Sequence, residues 1–221
     1  MAAVLRTSAP AQPGARSSVP GRADGATHGA RIGPNAVIQM GEALRANAGR
    51  EFERNVFMLA GLQCYLVAPP GAMIPEGEAI AIFQTLFRDA GVSSDDANAI
   101  ARDAGLRTGD YILANRIPKA AQSVLKVLPR PLAARALLGA IGKHSWTFAG
   151  SGRVTCRYGR LLSIEIANNP LAFDGCAWHC AVFERLFGAI VYPQVHVKHT
   201  GCCAAGNEAC RFEIRPSGLR G

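Results

Sequence analysis

At 221 residues with 49% hydrophobic composition, the chain is long enough to bury one sizeable core, and it carries a formal net charge of +8. No apolar run approaches the roughly 18–20 residues of a membrane-spanning helix, and the N-terminus lacks the apolar core of a secretory signal. Seven cysteines, an odd number in a chain expected in a reducing cytoplasm, argue against a disulfide framework and toward thiols or a metal.

Residues 1–30 are rich in Ala, Gly, Pro, Ser and Arg, with Asp24 the only acid. They cannot bury enough apolar surface to offset chain ordering, so a disordered tail is expected. An acid-poor start bearing Arg and Ser also resembles an organelle transit peptide, but the plain tail is the preferred reading. From Pro34 a helical period sets Val37, Met40, Gly41 and Leu44 on one face, and a second helix aligns Phe52, Val56, Leu59 and Ala60. Residues 64–77, with Pro69, Pro70, Gly71 and Pro75, read as a loop. A third helix groups Ala79, Ile82, Phe83 and Leu86. Ser94, Asp95 and Asp96 offer capping oxygens to a fourth, with Ala97, Ile100, Ala101 and Ala104 inward and Gly105 ending it. Thr108 is then expected to cap a short helix through Asn115.

Two amphipathic pieces follow, separated by Pro129 and Pro131. Ala121, Val124, Leu125 and Leu128 line the first; Ala133, Ala136, Leu137, Ala140 and Ile141 line the second. Basic amphipathic helices can lie on an anionic bilayer, but core packing makes the same pattern and is preferred. Residues 102–143 hold eight Lys and Arg against two Asp, a net +6. Such a segment can meet nucleic acid, an anionic membrane surface or an acidic ligand, and a solvated helix face is the plainer account. No helix-turn-helix, zinc-finger or aromatic RNA-binding signature accompanies it, so no nucleic-acid partner is expected.

After Gly142 the period changes to two. Trp146 and Phe148, then Val154, Cys156 and Tyr158, then Leu162, Ile164 and Ile166 alternate with polar neighbours, and Gly150-Ser-Gly152 and Tyr158-Gly159-Arg160 read as hairpin turns. A helix over 176–190 and strands at 194–199 and 209–215 complete an antiparallel sheet of about five strands. Helices first and strands later make an α+β fold: one domain over 31–215, helical over 31–143 and sheet-forming over 144–215, with a short tail at 216–221.

Five of the seven cysteines and three of the five histidines fall between Cys176 and Ile214. The spacing His199-x2-Cys202-x7-Cys210, with Cys176 upstream, suits one tetrahedral zinc ion. As strands, the two segments put His199 with Val195 and Val197, and Cys210 with Phe212 and Ile214, on apolar faces. In the helix, Cys176, Cys180, Phe183, Phe187 and Ile190 form one stripe. Gly201 and Gly206 let the connecting loop turn tightly. The competing reading is ordinary buried thiols, with no C-x2-C pair to sharpen the pattern. Cys180 and Cys203 stand as alternate ligands.

The pattern Cys202-x-Ala204-x-Gly206-x3-Cys210-x-Phe212, behind a half-buried strand and a helix beginning with Cys176, resembles the vinyl-4-reductase domain family. Arg31-Ile-Gly-Pro-Asn-Ala-Val-Ile-Gln39 and Val197-Lys-His-Thr-Gly-Cys202 resemble its bacteriochlorophyll 4-vinyl reductase-type branch. The resemblance extends over roughly residues 31–215. It implies a fold similar to Golgi tethering-complex subunits and to the sensor domains of aromatic-responsive regulators, and a homodimer through the early helices. One departure is His199, where the sensor branch carries a glutamate.

The resemblance implies an enzyme that reduces the C8 (old 4-position) vinyl group of a chlorophyllide precursor. Reduction needs a hydride or electron source, yet no G-x-G-x-x-G follows a strand, and the chain has no P-loop, H-E-x-x-H or G-x-S-x-G. No nucleotide cofactor is therefore expected. The cysteine spacings do not fit the common iron–sulfur runs, although Cys176-x3-Cys180 leaves room for an unusual cluster. Three functions remain: a magnesium-tetrapyrrole carrier or accessory protein working with the other bacteriochlorophyll enzymes, the vinyl reductase itself, and a small-molecule sensor. The carrier is preferred, cytoplasmic and peripheral to the photosynthetic membrane. His144, His179 and His196 are candidates to ligate magnesium or bond carboxylates, and Trp146, Phe148 and Trp178 to stack on a macrocycle, although ordinary core and surface roles use the same residue types.

Overall fold

The computed structural model describes residues 29–159 and 161–217. The tail expected at 1–30 falls almost wholly outside these, as does most of the tail expected at 216–221.

Strand β1 (Arg31–Ile32) leads into α1 (Asn35–Leu59), whose first turn follows Pro34 at φ −65°. The two helices read from the sequence are one helix kinked at Gly49, where φ is +87°. A glycine reaches that angle without a Cβ clash. Arg45 and the buried Glu53 pair across the kink at 2.7 Å. Leu59, expected to face inward, lies exposed at its end. The 64–77 stretch is not all loop. It holds a short 3-10 turn, Gln63–Leu66, and strand β2 (Ile74–Pro75), which pairs antiparallel with β1 through Ile32 and Ile74.

Helix α2 (Glu76–Gln84) widens into a π turn at Thr85–Asp89 and buries Ala79, Ile82, Phe83 and Leu86. Helix α3 (Ser94–Asn115) is capped one residue earlier than expected: the Ser93 hydroxyl accepts from the Asp96 N–H at 3.1 Å. Gly105 does not end it. A Cβ at Gly105 would run into the Trp178 carbonyl oxygen, and one at Gly109 would lie 2.6 Å from Arg185 Cβ. The two glycines are there for close helix–helix approach. Thr108 is inside the helix, donating its hydroxyl to the Ala104 carbonyl at 2.8 Å.

In α4 (Lys119–Val127) no residue is buried, and in α5 (Arg130–Lys143) the inward face is Ala133, Ala134, Leu137, Leu138 and Ile141. Ala136 and Ala140 are exposed. The change of period comes later than Gly142 as well. Trp146–Ala149 is a single helical turn, α6, with the Phe148 and Ala149 N–H groups both donating to the Ser145 carbonyl. Two alternating aromatics cannot distinguish a strand from a turn, and these two do not share a face: Trp146 is half exposed and Phe148 buried. Gly150-Ser-Gly152 therefore joins a helix to a strand.

The main sheet consequently has four strands, not five: β3 (Arg153–Arg157), β4 (Leu162–Ala167), β5 (Val195–Gly201) and β6 (Ala209–Pro216), all antiparallel in the order β3-β4-β6-β5. Ile164, Ile166, Val197, Phe212 and Ile214 turn inward. Glu165 opposite Arg211 and Lys198 opposite Glu213 cover the outer face. Helix α7 (Ala177–Ile190) packs on the inner face, α3 packs on α7, and α1 on α3. The architecture is α+β. Among the described residues, no helix is long and apolar enough to cross a membrane.

Candidate metal centre

Three elements meet at the N-terminal end of α7. Gly175 and Cys176 both adopt positive φ, +70° and +46°. The left-handed conformation is strained for a residue with a Cβ, and here it turns the Cys176 thiol inward as the helix begins. On β5, the register with β6 breaks between His199 and Gly201, just before Cys202 leaves the strand. Gly206, at φ +84°, closes the loop that returns the chain to β6 and Cys210.

The structure brings Cys176, His199, Cys202 and Cys210 together, with all four donor atoms within 4.8 Å of one another. Cys176 Sγ is 3.7 Å from Cys202 Sγ and 3.6 Å from Cys210 Sγ. A tetrahedron with Zn–S bonds of about 2.3 Å has S···S edges of about 3.8 Å, so Cys176 stands at ligand separation from both other thiols. The His199 imidazole supplies the fourth donor, and its Nε2 is buried without a hydrogen-bond partner. The donor set fits a tetrahedral metal.

The electrostatics also suit a cation. Cys210 is held at about 3, first by the hydrogen bond from Cys176, with His199, the Cys203 N–H and Asn169 adding to it against burial. Cys176 is pushed far up, first by that same bond to Cys210 and then by burial. Burial raises Cys202 too. The pocket stabilises one thiolate and leaves protons on its neighbours, which a metal would displace. Second-layer groups set the orientation: the Cys203 N–H donates to Cys210 Sγ at 3.4 Å, and the Cys202 N–H donates to Asn207 Oδ1 at 2.9 Å. Asn169 and Asn207 were not singled out in the sequence; only the turn-forming Gly206-Asn207 pair hinted at the second.

The alternate ligands point elsewhere. Cys180 Sγ lies 3.9 Å from the Gly175 carbonyl, and Cys203 Sγ 3.8 Å from that of Ile166. The other candidate residues divide into two sets. Phe148, Trp178 and His179 join Phe183 and Phe212 in a buried aromatic cluster; the His179 and Trp178 rings are 4.8 Å apart, and Phe212 stacks on His199 at 5.1 Å. Burial pushes His179 down to about 4, with Nε2 3.3 Å from the Phe148 carbonyl and Nδ1 unpartnered. His144 and Trp146 are exposed at the end of α5 and in α6. His196 lies at the sheet surface, Nδ1 3.0 Å from Glu184. That buried glutamate, unforeseen in the sequence, also takes Arg102 at 2.5 Å and the Val197 N–H at 3.0 Å.

The V4R domain model matches residues 164–216, a span containing all four ligand-forming residues. The bacteriochlorophyll synthase 23 kDa chain of Cereibacter sphaeroides is 46% identical over 194 residues, covering 85% of this chain and 92% of that protein. The protein of the same name from Rhodobacter capsulatus is 44% identical, over 86% of this chain and 89% of its own length. In fold alone, the chain is similar to an H-NOX protein from K. algicida (TM-score 0.56, 11% identity, covering 85% of this chain and 98% of that one). One from S. oneidensis is similar as well (TM-score 0.51, 12% identity, covering 83% and 98%). The chain belongs to the V4R-domain family, together with the bacteriochlorophyll synthase 23 kDa chains.

Proposed function

We propose that the protein is a zinc-containing, tetrapyrrole-binding carrier or accessory factor of bacteriochlorophyll synthesis. In this reading it delivers a chlorophyllide precursor for 8-vinyl (4-vinyl) reduction and neighbouring steps, as a homodimer beside the other enzymes of the pathway. Its place is in the cytoplasm, peripheral to the photosynthetic membrane. The carrying observation is the group of three thiols and one imidazole whose donor atoms all lie within 4.8 Å of one another. Four protein donors close a zinc site and leave no position for substrate, which is the mark of structural zinc. Zinc held there ties the start of α7 to β5 and β6. The likeness, over about 85% of the chain, to proteins named for bacteriochlorophyll synthase supports the pathway.

For the pigment, a cleft of about 330 Å³ between α4, α5 and the end of α7 has an apolar floor including Leu125, Leu128 and Ile190, with Lys126 and Arg130 at its rim. This lies at the lower end of the range of ligand pockets. It suits one apolar edge of a macrocycle with its free propionate carboxylate on the cations. His144 and Trp146 are accessible for pigment contact, whereas Phe148, Trp178 and His179 would reach it only if the aromatic cluster opened. The test is to titrate purified protein with a divinyl chlorophyllide, alone and with NADPH or reduced ferredoxin. Tight binding without turnover supports the carrier. Turnover with no other protein present makes it the reductase, and failure to bind any magnesium tetrapyrrole leaves the sensor reading.

A further inference from the structure

Helix α4 carries aliphatic side chains on its outer side as well as its inner one. Its polar Gln122 points into the protein, where the side-chain amide donates to the carbonyls of Leu113 and Ile117. Leu125 and Leu128 pack inward beside it, but two further aliphatic side chains point out: Val124 is 57% and Val127 82% exposed. Leu132, in the first turn of α5, is 54% exposed. Exposed aliphatic side chains on one helix and at the start of the next, set among polar residues, are the composition of an interaction surface.

The charge around this face is of one sign. From residue 111 to residue 164 the sequence contains nine Lys and Arg and no Asp or Glu. Lys119 and Lys126 lie along α4, and Arg135 and Lys143 on the exposed side of α5. Their aliphatic stems can lie along apolar groups while the charged heads reach an anionic layer. Protein interfaces are depleted in Lys and Ala and enriched in aromatics, whereas this face is built of Val, Ala, Leu and Lys. Nucleic acid would leave the valines without a partner. A short helix with an apolar face flanked by cations is what lies in the interface of an anionic bilayer.

We infer that α4 and the start of α5 dock the protein on an anionic lipid surface, with Val124, Val127 and Leu132 entering the headgroup boundary and the flanking cations meeting lipid phosphates. This docking needs no pigment, so it stands or falls apart from the carrier reading. The test is co-sedimentation of the full chain, free of pigment, with vesicles of phosphatidylcholine alone or mixed with phosphatidylglycerol. Binding is expected only to the anionic vesicles, and to weaken with salt. Each cation near such a surface contributes roughly fivefold in affinity, so Lys119→Gln with Lys143→Gln should lose on the order of 25-fold. Val127→Asp should weaken binding as strongly. These residues are exposed, and circular dichroism and metal content serve as checks that the variants are folded. Equal binding to neutral vesicles overturns the inference. So does anionic binding that neither variant weakens, or no vesicle binding while an acidic protein occupies the face.

Discussion

The contact of α3 with α7 supports the metal centre, and Gly105→Ala tests it. The added Cβ would collide with the Trp178 carbonyl oxygen and lie 2.8 Å from Ala181 Cβ. Carbon atoms pack at about 3.5–4.0 Å, so the helices must separate by roughly 1 Å. Overpacking of this kind costs about 1–3 kcal/mol, and the better helix propensity of alanine returns about 1 kcal/mol at most. Because the obstacle is backbone rather than the end of a flexible side chain, the upper part of the range applies, and a net loss of about 2 kcal/mol is expected. For a chain of this size, this lowers Tm by roughly 4–8 °C. Trp178 lies two residues beyond Cys176, so the same shift should loosen metal binding about tenfold, the low end for a second-layer change. Gly139→Ala is the control, since a Cβ there meets nothing within 4 Å and should be neutral or stabilising. Urea unfolding and a chelator competition read both effects. If Gly105→Ala matches Gly139→Ala in both assays, the close-approach reasoning is wrong.

Removing Cys202 by Cys202→Ser should abolish stoichiometric metal, whereas Cys203→Ser should keep it; the opposite result would reassign the thiol. His179 is neutral and buried, with its folded value near 4, below the ordinary 6.5. Its contribution is therefore complete above pH 6.5 and is lost as pH falls toward 4, by about 3 kcal/mol at 1.36 kcal/mol per pKa unit. His179→Phe should flatten that part of the stability profile relative to the parent at matched zinc. Glu184→Gln weakens the bonds to Arg102 and His196 while keeping the volume, and should cost about 1–2 kcal/mol in urea unfolding. No change would mean that the carboxylate charge contributes little there.

Much of the centre was legible because ligand and core share a pattern. A period of two put His199 beside Val197 and Cys210 beside Phe212, so any apolar packing of those strands would bring imidazole and thiol inward. The left-handed turn at Cys176 was not legible, since nothing in the residue type announces a positive φ. Gly105 was misread as a helix stop because a glycine looks the same whether it ends a helix or admits a neighbouring one. Trp146 and Phe148 offered two alternating aromatics, too few to exclude a helical turn, and this error accounts for the missing fifth strand. In α4 the sequence shows an apolar side and a basic side but not which faces the protein. Core packing, the preferred reading, holds for Leu125 and Leu128 and for Ala133, Leu137 and Ile141 of α5, whereas Val124 and Val127 are exposed. Asn169, Asn207 and Glu184 act through contacts distant in sequence or through loop geometry, so local periodicity could not find them.

The most direct test of the metal centre is elemental analysis with X-ray absorption at the zinc edge, on protein purified under reducing conditions. One zinc per chain is predicted, with three sulfur neighbours at about 2.3 Å and one nitrogen at about 2.0 Å. Absence of stoichiometric metal, or a shell of two or four sulfurs, would contradict the assignment of Cys176, His199, Cys202 and Cys210.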